Sequence, residues 1–186
     1  MHKGGAAMKK YTQILLISLI AAFCFISVSA VWSTGNLFSG TLKCSKIGPN
    51  HPDFTKASGE FSFQVDLDKQ EIAYQVDVKK IKNAFMAHIH VGPCDKQDQS
   101  PPQLEIKRQG PIAAWLYSCK TEEGPNQCIK GEFTGTLAKG VITSADLQND
   151  ISFTDLIEAM RSGKAYVNVH TQKYITCEIC GRIKPL

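Results

Sequence analysis

Hydrophobic and polar residues alternate with a period of two along much of the chain beyond residue 36. The segment GEFSFQVDLD, residues 59–68, places Phe61, Phe63, Val65 and Leu67 on one side, and EIAYQVDV, residues 71–78, places Ile72, Tyr74, Val76 and Val78 on one side. This period is that of β-strands with one buried face. Asp68, Lys69 and Gln70, where the first segment passes into the second, are few enough for a hairpin turn.

Six further segments have the composition of short strands bounded by turn residues. They are LFSGTLK (37–43), NAFMAHIHV (83–91), PIAAWLY (111–117), KGEFTGTL (130–137), AYVNVHT (165–171) and TCEICGRI (176–183). Many short strands in succession predict an all-β fold, an immunoglobulin-like or Greek-key β-sandwich.

One segment has helical periodicity instead. SFTDLIEAMRSG, residues 152–163, begins with Ser152 and Asp155 in the spacing of a capping box and ends at Gly163. Leu156 and Met160 lie on one stripe between these signals. We therefore predict one short helix here, with a turn of helix at TSADLQ, residues 143–148, and a long loop over residues 93–111.

The first thirty residues have the pattern of a secretory signal. Two lysines precede an apolar run over residues 14–28, which ends in the small residues of Val28-Ser29-Ala30. The alternative is an uncleaved membrane anchor, because the apolar stretch to Trp32 approaches the roughly 20 residues that span a bilayer. Residues 1–30 are thus expected to be a signal peptide or an anchor, and residues 31–186 a single exported domain.

Charge excludes one class of partner. The whole chain carries a formal charge of +4, but residues 31–186 contain 18 basic and 17 acidic residues. Nucleic-acid binding requires a clustered basic field, which such a balance does not favour.

The expected location is secreted, extracellular or periplasmic, and contact with a membrane is expected only if the N-terminal segment stays uncleaved.

Cysteine content fits an oxidising compartment. The exported part contains six cysteines, which are Cys44, Cys94, Cys119, Cys128, Cys177 and Cys180. An even number in an exported domain predicts three disulfides. Cys119 and Cys128 flank the turn-rich KTEEGPNQ and are expected to form a local bridge. Cys177 and Cys180 form a Cys-x-x-Cys, for which zinc or redox chemistry is an alternative; on a strand they would point to opposite faces and pair with different partners.

Two histidines occupy one face of the segment AFMAHIHV. On a strand, Phe85, Ala87, Ile89 and Val91 share the expected core face, whereas Ala84, Met86, His88 and His90 share the other. Imidazoles two residues apart on a strand have Cα atoms about 6.5 to 7 Å apart, close enough to share one metal ion.

A third histidine has a similar setting in AYVNVHT. Val167 and Val169 share one face, and Tyr166, Asn168 and His170 share the other. A tight turn near residues 172–173 would place Glu178 across from Asn168 on the face of His170. Two interpretations stay open: a metal site, or a metal-free network of hydrogen bonds.

The two histidine motifs together resemble those of the chordin-type, or CHRD, domain. AHIHVGP (87–93) is followed by GKAYVNVHTQKYITCEICGRI (163–183), and GVITSADL and TDLIEAMRSG also match the family pattern. The resemblance spans about residues 37–184 and implies an immunoglobulin-like, all-β extracellular domain. Cys177 and Cys180 stand where the family usually has Gly and Arg, which indicates a variant reinforced by disulfides.

A second, weaker similarity concerns the copper side of copper/zinc superoxide dismutases. Those enzymes need a fourth copper imidazole and a nearby arginine, neither of which a motif supplies here, so dismutase chemistry is not expected. Neither a nucleophile elbow nor a paired-carboxylate motif is present, and a non-enzymatic function is favoured.

The expected function is that of an exported binding module. Its functional face carries His88, His90 and His170. This face is expected to hold a copper or zinc ion, or else to function without a cofactor. Met86, whose thioether would favour reduced copper, and Asn168 are expected as neighbours, with Glu178 accepting an imidazole N–H. The alternative is a metal-free extracellular interaction or structural domain with an unidentified protein partner.

Overall fold

The computed structural model describes residues 36–44, 55–92, 110–119 and 128–186. Nine strands and one α-helix account for most of these residues. In chain order they are β1 (Leu37–Cys44), β2 (Ser58–Asp66), β3 (Glu71–Lys82), β4 (Ala84–Val91), β5 (Ile112–Ser118), β6 (Glu132–Thr143), α1 (Phe153–Arg161), β7 (Ala165–Thr171), β8 (Ile179–Arg182) and β9 (Lys184–Pro185).

All eight predicted strands are present. The hairpin between β2 and β3 turns at residues 67–70, as expected. The strands β3 and β6 pair with each other and continue beyond their predicted ends, whereas β8 is shorter than predicted. The turn of helix after β6 is a 3₁₀ turn at Ser144–Asp146.

The strands form one nearly closed sheet in the order β5-β4-β7-β8-β1-β2-β3-β6, and β9 pairs with β1. Residues 37–42 of β1 pair with β2, and its last two residues pair with β8, so β1 belongs to both halves of the sheet. The two ends of the order also meet: β5 contacts β6, and the hydroxyl of Tyr74 in β3, the neighbour of β6, donates to the carbonyl of Leu116 in β5 at 2.9 Å. The all-β class with one helix is confirmed, and the Greek-key sandwich stays a prediction.

The buried core residues of the sheet lie on the strand faces that the period-two pattern predicted. Phe61, Phe63 and Val65 of β2 are buried, and Ile72 and Val76 of β3 are fully buried. Burying each such side chain contributes about 1.5 to 3 kcal/mol. Leu67 is the exception at 45% exposure, because β2 ends at the preceding residue and the chain turns there.

Helix α1 covers part of this core with one face. Its buried residues are Phe153, Leu156, Ile157, Ala159 and Met160. The capping box is confirmed: the hydroxyl of Ser152 accepts a hydrogen bond from the Asp155 amide, and the carboxylate of Asp155 accepts one from the Ser152 amide. Ser162, not Gly163, is the C-cap, and Gly163 follows it with a φ of 68°.

The structure contains the local disulfide predicted between Cys119 and Cys128. Cys177 is buried and Cys180 is half-buried. Cys94 and the side chain of Cys44 lie outside what the structure describes, so the remaining two disulfides stay a prediction.

All described residues fall in one compact unit that extends from Trp32 to Leu186. None of the helices among them is long and apolar enough to cross a bilayer. The expected signal peptide or anchor and most of the expected loop at residues 93–111 lie outside the described residues.

Candidate metal centre

Adjacent strands bring His88, His90 and His170 together. In the antiparallel pairing of β4 with β7, His88 lies opposite Asn168, His90 opposite Tyr166, and Met86 opposite His170. The ring centroid of His88 is 4.6 Å from that of His90 and 4.5 Å from that of His170. Each histidine is only 3% exposed. Three imidazoles thus form one buried cluster, as the residue pattern predicted for the first pair and left open for the third.

Two backbone carbonyls orient the rings. His90 Nδ1 lies 3.0 Å from the carbonyl oxygen of Gly110, and His170 Nδ1 lies 2.8 Å from that of Ile175. A carbonyl can only accept, so each Nδ1 carries the proton and donates it. The Nε2 atom of each neutral ring is then left with a free lone pair, which is the form that binds metals.

One nitrogen of each ring has no hydrogen-bond partner among the described residues. Nε2 of His90, Nε2 of His170 and Nδ1 of His88 are all buried without a hydrogen bond. One nitrogen of each ring lies within 4.8 Å of the other two. A tetrahedral zinc ion with bonds of about 2.0 to 2.1 Å separates its nitrogen ligands by about 3.4 Å. Modest rotations of the rings would therefore bring all three nitrogens onto one ion.

Burial keeps the cluster neutral. It lowers the pKa of His88 to about 2, with the charges of His170 and His90 adding to the effect, and it lowers the pKa of His170 to about 4. Burial lowers the pKa of His90 as well. At neutral pH the three imidazoles are therefore unprotonated on the nitrogens that would bind an ion, and no proton has to be displaced.

Aromatic rings enclose the cluster. Tyr166 stacks on His90 at 5.2 Å between centroids, and Trp115 meets His88 edge to face at 5.1 Å. Phe85 approaches His170 at 6.2 Å. Trp115 is itself 41% exposed, so it lies between His88 and solvent. These rings keep the imidazoles in a medium of low dielectric constant.

The position of Phe85 corrects the predicted faces of β4. A bulge in the pairing with β7 lies between Ala84 and Met86, so the strict alternation fails at this end of the strand. Ala84 is buried in the core, whereas Phe85 contacts His170. The faces of Ala84 and Phe85 were therefore predicted wrongly, and those of His88, Ile89 and His90 were predicted correctly.

The expected position of Glu178 opposite Asn168 is wrong, and its role toward the imidazoles stays a prediction. Its carboxylate accepts hydrogen bonds from the hydroxyls of Thr55 and Thr171, and no imidazole donates to it. The turn after β7 is longer than a two-residue turn, so Cys180 rather than Glu178 lies opposite Asn168. The acceptors of the imidazole protons are main-chain carbonyls, which no residue type in the sequence reveals.

Asn168 and Met86 do lie beside the cluster, in register with His88 and His170. Met86 is half-buried. Asn168 is fully buried, and neither its oxygen nor its nitrogen has a hydrogen-bond partner. Cys177 and Cys180 do not join the histidines in a group of candidate ligands among the described residues.

The fold and the site define an all-β domain with a buried three-histidine cluster on one sheet face. The chain belongs to the CHRD domain family, whose model matches residues 38–183. This match confirms the resemblance seen in the two histidine motifs. CHRD domains are typically extracellular, which agrees with the expected export of this chain. No curated protein and no solved structure matches the chain.

Proposed function

We propose that this CHRD domain is an exported binding module that holds one copper or zinc ion through His88, His90 and His170. The observation that carries the proposal is twofold: each ring offers a nitrogen within 4.8 Å of the other two, and each ring has a buried nitrogen without a hydrogen-bond partner. An unsatisfied buried polar atom costs about 1 to 3 kcal/mol. An ion would satisfy all three nitrogens at once.

The donor set favours a transition metal. Imidazole nitrogen suits zinc and copper, whereas calcium and magnesium prefer oxygen ligands. Three protein ligands leave one coordination position open. The thioether of Met86, opposite His170 in the sheet, is the feature that would favour reduced copper over zinc.

The carbonyls of Gly110 and Ile175 support the site in the manner of outer-shell partners. They fix the tautomer and the direction of His90 and His170. In a metal-free network of hydrogen bonds, by contrast, the imidazoles would donate to one another, to Asn168 or to Glu178. The described side chains form none of these bonds.

The proposal is tested on residues 31–186, purified without an affinity tag in oxidised form. Elemental analysis measures bound copper and zinc, and titration of each metal against a chelating competitor measures affinity. We expect about one equivalent of metal. If the wild-type chain holds no metal and does not compete at micromolar concentrations, the metal-site proposal fails, and the histidines are structural.

Matched substitutions separate ligation from folding. His90→Asn and His170→Asn each keep an N–H that can donate to the backbone carbonyl, but they remove the nitrogen that would bind the ion. We expect each to lose more metal affinity than the roughly 10- to 100-fold that outer-shell changes cost. His51→Ala removes the other imidazole of residues 31–186 and is the control for nonspecific binding.

A further inference from the structure

Asn168 is the one described residue whose side-chain oxygen and nitrogen are both buried without a hydrogen-bond partner. The residue is fully buried in the middle of β7. A buried amide in this state is costly, and an apolar side chain of similar size would avoid the cost. The arrangement therefore points to a partner that the protein itself does not supply.

Asn168 lies opposite a histidine of the cluster in the sheet register. Asn168 is directly opposite His88 across the β4 and β7 pair, where Cβ atoms are about 4.5 to 5.5 Å apart. His170 and Tyr166 are its neighbours two residues away on the same face of β7, and the ring of Tyr166 stacks on His90. By register and strand alternation, Asn168 therefore belongs to the face of the sheet that carries the histidine cluster.

We propose that Asn168 binds the ligand at the open coordination position of the metal, and that this ligand is a small molecule bound through oxygen or nitrogen, with water at rest. The proposal rests on the proposed function, because the position exists only when the three histidines hold an ion. A primary amide offers both a donor and an acceptor, so it can accept from a bound water and donate to a bound anion. The aromatic rings around the cluster favour ligands of a few atoms.

Azide is a suitable probe because it is a small anion that coordinates through one end. Before azide binds, the water at the open position of the ion would donate a hydrogen bond to the amide oxygen, which is an uncharged acceptor. With azide bound, the amide nitrogen donates to an anion, and such charge-assisted bonds are about twice as strong. Removing the amide should therefore weaken azide binding by about fivefold, the equivalent of roughly one ordinary hydrogen bond.

The experiment uses residues 31–186 loaded with Cu(II). Azide is titrated and followed by its charge-transfer absorption in the wild type, in Asn168→Leu and in Asn168→Thr, which keeps one hydroxyl. Gln75→Leu is the control, because it makes the same amide-to-leucine change at an exposed position of β3, a strand that pairs with β2 and β6 rather than with the histidine strands. We expect about fivefold weaker azide binding for the leucine variant, a smaller loss for threonine and less than a twofold change for the control.

Copper affinity and metal-free stability are measured on the same variants. Asn168→Leu should bind copper within about threefold of the wild type, and its metal-free form should be at least as stable as the wild type, since two unpaired polar atoms are removed. A metal-free form that is clearly less stable would show a structural role for the amide and overturn the proposal.

The outcomes distinguish the two proposals. Copper binding with equal azide affinity in wild type, leucine and threonine variants overturns the role of Asn168 and leaves the three-histidine site intact. A wild-type chain that binds no copper removes the site and the role of Asn168 together. If the leucine variant does not fold, the azide affinities of the wild type and the threonine variant are compared instead, and equal affinities overturn the role of Asn168.

Discussion

Acid should destabilise the metal-free protein through its buried histidines. The folded-state pKa values of His88 and His170 are about 2 and about 4, both below the ordinary value of 6.5 for an unfolded chain. Between those values and pH 6.5 the unfolded state binds protons that the folded state does not. The free energy of unfolding is therefore highest above pH 6.5 and falls as the pH is lowered from there.

The size of the effect follows from the same values. Each pH unit below 6.5 costs about 1.4 kcal/mol for each histidine that stays neutral in the fold. At pH 5.0 this amounts to about 2 kcal/mol each for His88 and His170, or about 4 kcal/mol together. A domain is typically stable by only about 5 to 15 kcal/mol, so the loss should be easy to measure. The aspartates with lowered pKa, Asp66 and Asp146, titrate below this range.

The assay is urea unfolding between pH 7.5 and pH 5.0 in the presence of a chelator, followed by circular dichroism. The reference is a double variant, His88→Gln with His170→Asn. Its two new side chains do not titrate in this range, whereas its other histidines are the same as in the wild type. We expect the wild type to lose about 4 kcal/mol relative to the double variant between pH 7.5 and pH 5.0. Equal slopes in the two proteins would refute the assignment of buried, neutral imidazoles.

Three further predictions concern the scaffold and the loops beside the site. Cys119→Ser combined with Cys128→Ser removes a bridge between residues nine apart in sequence, and should lower the free energy of unfolding by about 3 kcal/mol in denaturant titrations. Ser152→Ala removes the observed N-cap of α1, and the same measurement should show a loss of about 1 kcal/mol. Gly110→Ala would bring a Cβ into the carbonyl of the neighbouring strand at a φ of 67°, and should weaken metal binding by about 10- to 100-fold. The control Gly131→Ala, at a φ of 81° with no atom within 4 Å of the added Cβ, should leave metal affinity unchanged.

The sequence predicted the strands and the histidine face because side chains on a strand alternate strictly. His88, His90 and His170 each share a motif with apolar residues of opposite parity, and those apolar residues are indeed buried in the core. The proximity of His170 to the first pair depends on β4 and β7 being neighbours. Residues 74 to 87 positions apart along the chain determine that pairing, so only the structure shows it.

Two local features broke the alternation and could not be predicted. The bulge before Met86 moves Phe85 to the histidine side, and the longer turn after Thr171 shifts β8 so that Cys180 lies opposite Asn168. Bulges and turn lengths are decided by small differences in local hydrogen bonding and packing. A shift of register by two residues keeps the side chains on their faces but changes their neighbours, which is why Glu178 was assigned to the wrong partner.

The spacing of the three imidazoles depends on the sheet, whereas the directions of two of the rings depend on loops beside it. The sheet fixes the spacing of the three imidazoles, because ring positions follow from the pairing of β4 with β7. The directions of two rings depend on Gly110, at the end of the predicted loop, and on Ile175, in the turn after β7. Whatever displaces either loop would leave the histidines in place but turn their nitrogens away from a common centre. Metal affinity in this domain should therefore respond to changes in these loops more strongly than the stability of the fold does, since loops carry little of the buried core.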